Sequence, residues 1–568
     1  MSITSPTPSR AEPGRPANLT ALDEGFVFGG GMTVGGTHTV AGVGKRIAEL
    51  LKQNIPSRLS SGDATLWGPA AQAEAEIRLG WLQLPDTSRK LASDLVSVRE
   101  ELRAEGLDRV VLGGMGGSSL APEVIARTLG LDLTVLDTTD PGQVREALGD
   151  RLERSVIVVS SKSGGTVETD SHRRACWQAF ADTGMSEEQI ARRFIIVTDP
   201  GSPLETIGKQ LKVREIFLAN ADVGGRYSAL TAFGLVPAAL AGADVMVLLD
   251  EAARLATTLV SDGPALRLGV AMGMAAIAGR DKLVLAEDGT GLVGLGDWVE
   301  QLVAESTGKN GTGILPIVVE QPDAPGSHGS DVVLTTIGGA ISLGDSGRVP
   351  GVSAEPDLTV NGPLGAQFLA WEYATAVAGM LLEINPFDQP NVAESKQNTA
   401  KILDGEEPPA QKPFARTANI ELYGDAALFE GVRSPGGAVA SLIGAIGKGG
   451  YLAIMAYLDR IHDAAAGELR SLLARRTDRP VTFGWGPRFL HSTGQYHKGG
   501  PANGAFLQIT GAVNNDLDVT GKAYSFGRLQ AAQAAGDRQA LSGRGRPLLR
   551  VHLVDRERGI DELLEALR

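Results

Sequence analysis

GGMGGSS at 113–119 and SKSGGT at 161–166 are the stretches that decide how this chain reads. Each follows an apolar run of strand character, 109–112 and 156–160, and each precedes a stretch of helical character. A strand feeding a glycine-rich turn, with hydroxyls in the first turn of the next helix, aims unpaired N–H groups and side-chain donors at one spot. Such a spot suits a phosphate group. One loop of this kind is weak evidence, because glycine turns serve their own backbone geometry in any doubly wound sheet. Two of them, about 48 residues apart in consecutive βα units, point to a shared anion site.

Working outward, strand-like runs at 109–112, 133–137, 156–160, 194–198 and 213–218 alternate with helical ones. This pattern predicts a parallel, doubly wound α/β sheet of five strands. A second α/β set follows, with strands near 282–286, 313–319 and 332–336 and helices near 266–279, 295–307 and 364–383. Upstream, 21–108 reads as a mainly helical region ending in the amphipathic stretch SDLVSVREELRAEGL. The expected organisation is therefore a tail over 1–20, this helical region, a first domain over 109–244 and a second over 245–403. A linker over 404–447 then leads to a C-terminal α/β block, 448–568, expected to complete the second domain, with strands near 505–510 and 548–553.

Composition narrows the function. The chain has 568 residues, 43% apolar and 21% charged, in the range of globular proteins with large cores. Its apolar stretches are broken before 18 residues, so no membrane helix is expected. The first 20 residues lack the hydrophobic segment of a signal peptide and read as disordered. Cys176 is the only cysteine, which excludes an intrachain disulfide and fits a reducing cytoplasm. A net charge of −14 argues against nucleic acid as partner. An anionic substrate must then be held by local donors.

Four further places carry candidate chemistry. Arg226 sits in GGRYS (224–228), where glycines allow close approach by a cation that cannot lose its charge; the alternative is an arginine capping a carbonyl. In LGDWVEQLVAES (295–306), Leu295, Trp298, Leu302 and Glu305 recur at helical spacing, so a carboxylate continues the apolar stripe. Inward carboxylates are paired or functional, and Lys309 is the candidate partner. After NPFDQP (385–390), Lys396 shares a helix face with Val392, Thr399 and Leu403, where it could equally snorkel to solvent. His491 and His497 lie in FLHSTGQYHKGGP (489–501); with no nearby carboxylate they make a poor metal site and suit hydrogen bonding or acid/base work.

Together these motifs resemble the phosphoglucose isomerase family, built on paired sugar-isomerase (SIS) domains. The resemblance spans at least 109–396 and rests on the two loops, GGRYS, AESTGK (304–309) and NPFDQP followed by Lys396. It implies that Ser118, Ser161, Ser163 and Thr166 hold a sugar phosphate, that Glu305 is the base, and that Arg226 sits beside the developing enediolate. Gln389 and Lys396 would line the sugar end. Short bacterial members carry the ring-opening histidine in a Leu-His-Ser-x-Gly-Gln motif between the catalytic Glu and Lys. Here that interval holds only His328, and the matching LHSTGQ lies at 490–495, which transfers the role to His491, with His497 and His328 as fallbacks. This long form resembles the isomerase half of bifunctional transaldolase/phosphoglucose isomerases.

The resemblance implies reversible interconversion of glucose 6-phosphate and fructose 6-phosphate by a cytoplasmic homodimer, without cofactor or metal. Alternatives are a dual phosphoglucose/phosphomannose isomerase and a non-catalytic sugar-phosphate-binding SIS protein. The last has no use for Glu305, Arg226 and Lys396 together. A dinucleotide-binding dehydrogenase fails on spacing, since G-x-G-x-x-G from Gly114 requires glycine where Ser119 stands.

Overall fold

The computed structural model describes residues 26–341, 355–406 and 411–568. The tail expected over 1–20 lies outside the described residues.

The first sheet has five strands, all parallel, in the order Leu133–Leu136, Arg109–Gly114, Ser155–Ser160, Phe194–Thr198, Glu215–Leu218. Its central strands are buried at every position, the reason they read as unbroken apolar runs and not as alternating ones. From Arg109–Gly114 the chain steps to one side, then crosses to Ser155–Ser160 on the other. The sheet therefore changes direction between these two strands, and both Gly/Ser loops leave from their carboxyl ends.

In the second sheet the order is Leu315–Val319, Lys282–Glu287, Val332–Gly338, Leu358–Asn361, followed by Met32–Gly35 and Val27–Gly29. Four strands are parallel, and the last two add as an antiparallel hairpin. The hairpin opens a region that is otherwise helical, as its sequence reads. Its turn is Gly30-Gly31, both at positive φ, a two-residue connection that suits the twist of paired strands. Beneath this sheet the helix Leu364–Leu381 is buried on nearly all sides against Pro264–Ile277. Close approach is possible because a Cβ at Gly269 would meet the Ala374 carbonyl at 2.6 Å.

A third sheet corrects the reading of the C-terminal part. Val481–Trp485, Leu452–Tyr457, Ala505–Gly511 and Leu548–Leu553 are parallel neighbours in that order. Ile420–Gly424 and Ala415–Arg416 extend it antiparallel. The segment 404–447 thus supplies strands and the helix Pro435–Gly444. The block 448–568 does not add strands to the second sheet. It packs face to face on it, with Val284, Ile317 and Leu334 in one apolar layer with Ala453, Met455 and Phe506. A short strand bounded by glycine, after a polar stretch, carries too little periodicity to be told from a linker.

His497 lies in that layer, stacked on Tyr451 and hydrogen-bonded to its hydroxyl at 2.9 Å. Burial, with Lys498 and Arg546 adding to it, pushes its imidazole down to about 3, so it is neutral in the fold at pH 7. The unfolded chain binds a proton here below about pH 6.5, which the folded chain does not take up until far lower. Stability from this group is therefore complete above that pH and is lost as pH falls. In urea titrations between pH 7 and 4.5, His497→Gln should close its stability gap to the parent by ~1.4 kcal/mol per pH unit below about 6.5. A gap that stays constant with pH would contradict a buried neutral imidazole.

Candidate active site

A cleft of about 460 Å³ opens at the carboxyl end of the first sheet, between it and the second. Ser118, Ser163, Thr166, Arg226, Glu305, Gln389, Lys396 and His491 all line it. The first loop runs as a single helical turn, Gly116–Ser118, into the helix Leu120–Leu129. A Cβ at Gly117 would stand 1.9 Å from the Gly225 carbonyl, so glycine is what lets this loop meet the turn carrying Arg226. The second loop leads into the helix Val167–Asp182, whose free N–H groups and positive end face the cleft beside Thr166.

Arg226 is buried, and four of its five N–H donors make hydrogen bonds. Its Nε donates to Ser306 Oγ at 2.7 Å, and its Nη2 to the Pro386 and Asp388 carbonyls at 2.7 and 2.9 Å. Its Nη1 donates to Gln389 Oε1 and stands 3.7 Å from Glu305 Oε1. One guanidinium thereby fixes the NPFDQP turn against the end of the helix Leu295–Thr307. Glu305, 8% exposed, accepts from Gln301 Nε2 at 3.1 Å, one helical turn away. Lys309 is not its partner. The ammonium donates to Asp388 Oδ1 at 2.6 Å and to the Asn385 and Asp388 carbonyls. Burial and the charge of Arg226 push Lys309 down to about 8.

His491 reaches the cleft from the far end of the chain. It closes the short helix Arg488–His491, and its Nε2 donates to Glu168 Oε1 at 3.0 Å. Gln533 Nε2 donates to the same oxygen at 2.7 Å. Burial opposes ionisation of Glu168, yet His491 and Lys396 beside it hold its carboxyl at about 2. Three ion pairs dock the third sheet's loops onto the first sheet and so place His491. Arg488 meets Asp137 at 2.9 Å, Arg460 meets Glu123 at 3.0 Å and Arg556 meets Asp140 at 2.7 Å. Glu123, though buried, is held at about 2 by Arg488 and Arg460.

A family model described as phosphoglucose isomerase matches residues 99–312. A glucose-6-phosphate isomerase of Rubrobacter xylanophilus is 31% identical over 390 residues, covering 56% of this chain and 88% of that protein. The chain belongs to the phosphoglucose isomerase family. A glucose-6-phosphate isomerase of Thermosynechococcus vestitus is 28% identical, covering 59% of this chain and 73% of that protein. Among solved structures, a glucose-6-phosphate isomerase from Chlamydia trachomatis superposes with a TM-score of 0.52 at 21% identity. It covers 67% of this chain and 90% of that one, a likeness of fold.

Against the phosphoglucose isomerase expectation, Ser161 departs from its assigned place. It is buried, its hydroxyl is hydrogen-bonded to Thr166 Oγ1 at 3.0 Å, and it lies outside the cleft lining, so it orients a neighbour. Of the fallback histidines, His497 is in the apolar layer and His328 is exposed on a loop of the second sheet; neither lines the cleft. Lys396 and its companions Val392, Thr399 and Leu403 line an adjoining chamber of about 350 Å³ shared with His491 and Glu168. Sequence reasoning missed Glu168 and Gln301. Glu168 lies two residues beyond SKSGGT, where an acid in a first helical turn reads as an ordinary dipole-favoured residue. Among the described residues, no group of three or more His, Cys, Asp and Glu side chains could hold a metal ion.

With its carboxylate removed, His491 loses both its orientation and its counter-charge. Glu168→Gln should lower kcat by ~10²-fold and leave KM within a few-fold, measured by steady-state isomerisation. A kcat within two-fold of the parent would show that the pair is structural only.

Proposed function

We propose that this chain is a glucose-6-phosphate isomerase, interconverting glucose 6-phosphate and fructose 6-phosphate through a cis-enediol(ate). The observation that carries the reading is the cleft itself, lined both by the two Gly/Ser loops and by an inward carboxylate beside a fixed guanidinium.

The phosphate is held by the hydroxyls of Ser118, Ser163 and Thr166 together with the helix end behind Thr166. Binding at that remote group positions C1 and C2 beside Glu305. His491 gives a proton to the ring oxygen as the sugar opens, with Glu168 stabilising the charged imidazole. Lys396, at the mouth of the same chamber, supports the oxygen end of the sugar. Glu305 takes the C2 proton, which the neighbouring carbonyl has acidified, and returns it at C1. Between those steps the oxygen carries negative charge. Arg226 meets it with a cation already oriented by Ser306, Gln389 and two carbonyls, so little reorganisation opposes the step. In net terms one proton passes from C2 to C1 through Glu305 and one from the C2 hydroxyl to the C1 oxygen, so substrate and product are isomers and nothing else is consumed. A sugar-phosphate sensor would need only the Gly/Ser loops, so convergence of Glu305, Arg226 and His491 on one cleft favours turnover.

The single cysteine, Cys176, is buried with its thiol pushed up to about 12 by that burial, which suits a reducing cytoplasm. A homodimer is the assembly the family resemblance supports. Glu305→Gln is the direct test. It should bind fructose 6-phosphate within a few-fold of the parent and lose ~10²-fold or more in kcat, in the presence of EDTA. Near-parental turnover would remove Glu305 from the base role, and activity abolished by the chelator would overturn a metal-free route.

A further inference from the structure

The cleft uses His491 of the LHSTGQ stretch. The glutamine that ends the stretch, Gln495, does not line the cleft and is 0% exposed. It sits in the short helix Gly494–Gly499, which packs on the helix that carries Glu305, Leu295–Thr307. Its side-chain amide is met at both ends. Oε1 accepts the backbone N–H of Asn391 at 2.9 Å, while Nε2 donates to the Gly308 carbonyl at 2.9 Å and to Asn391 Oδ1 at 2.8 Å. A backbone N–H on one side and a backbone carbonyl on the other allow the amide only this way round. The Gly308 carbonyl lies just past the helix, where no later turn supplies a donor, so Gln495 caps the helix that carries Glu305.

Asn391 lies between two residues that line the cleft, Gln389 and Lys396. Arg226 and Lys309 hold the 385–390 turn by the Asn385, Pro386 and Asp388 carbonyls. Gln495 holds the chain where it leaves that turn for the helix Ala393–Leu403. The junction is tight. A Cβ at Gly499 would stand 2.6 Å from the Gly308 carbonyl oxygen and 2.8 Å from Gln495 Nε2, so glycine there lets the amide close on both segments. Ser492 adds a second tie, donating to Glu300 Oε1 at 3.1 Å on the same helix. The segment that carries His491 is thereby registered on the helix that carries Glu305.

We propose that Gln495 is a positioning residue for the isomerisation, fixing the segment from Gln389 to Lys396 and the end of the Glu305 helix relative to His491. The inference rests on the isomerase reading of the cleft. Gln495 makes no contact with the substrate and acts through Asn391 and Gly308. The reaction needs an acid and a base from distant parts of the chain at one fixed separation, and a displacement of about 1 Å between such groups costs ~10²-fold in rate.

Hydrogen exchange of the Asn391 amide, followed without substrate, reads the clamp independently of turnover. It should be ~10-fold faster in Gln495→Leu, which keeps much of the bulk and removes the hydrogen bonds. On fructose 6-phosphate, kcat/KM should fall by ~10²-fold in the same variant, with KM raised as well as kcat lowered. A variant that had only lost folded molecules would lower kcat and leave KM unchanged. Asn391→Ala, at a half-buried position, removes one of the same bonds and should give a smaller loss of the same kind. Adding it to Gln495→Leu should cost nothing further. Unchanged exchange in Gln495→Leu, or additive losses from the two substitutions, would overturn the proposal. Should Gln495→Leu fail to fold, an Asn391→Ala with parental kcat/KM would overturn it. A parent inactive on fructose 6-phosphate would overturn the isomerase reading and this role with it, whereas an active parent whose kcat/KM survives Gln495→Leu would overturn this role alone.

Discussion

Arg226 cannot shed its charge, and the substrate cleft is organised around where that charge is held. Burying a guanidinium costs several kcal/mol unless its donors are met, and here Ser306, Gln389 and two backbone carbonyls of the 385–390 turn meet them. The same contacts bring three distant segments together: the glycine turn after the first sheet, the end of the helix Leu295–Thr307, and NPFDQP. Glu305 stands 3.7 Å from that cation, and Gln301 fixes its other oxygen. The Glu305–Arg226 part of the cleft is thus as rigid as the buried polar network beneath it.

The opposite requirement governs the Gly/Ser loops. There the backbone itself must come close, and glycine permits it. Gly117 lies against the Gly225 carbonyl where a Cβ could not fit, and Gly116 takes a positive φ beside His491. The first Gly/Ser loop and the turn carrying Arg226 therefore meet through a glycine contact. His491 joins them from the third sheet, docked by ion pairs to Glu123, Asp137 and Asp140 on the first.

How much of this could be read from the residues follows from the range of the signal. Buried parallel strands such as Ser155–Ser160 announce themselves as apolar runs, and Glu305 announces itself by sitting on an apolar stripe. The Gly/Ser loops were legible because two of them follow consecutive buried strands, where one alone would have been weak evidence. Glu168 was not, because its meaning comes from His491, 323 positions away, and no local pattern encodes that pairing. Ser161 reads like its neighbours Ser163 and Thr166, and only its turn geometry sends its hydroxyl inward. The hairpin Val27–Gly35 and the strands at 415–424 were hidden for a related reason: short edge strands take their identity from the sheet they join. The third sheet changes the architecture more than the chemistry, since the ionisable residue it lends to the cleft, His491, was already marked by its motif.

We propose that one six-carbon molecule spans the cleft from the Gly/Ser hydroxyls to Glu305. A crystal structure of the chain with bound fructose 6-phosphate should show the phosphate oxygens within hydrogen-bond distance of the Ser118, Ser163 and Thr166 hydroxyls, with C1 and C2 in van der Waals contact with the Glu305 carboxylate. A sugar phosphate bound with its phosphate on Arg226, or with its carbonyl carbons out of reach of Glu305, would contradict it.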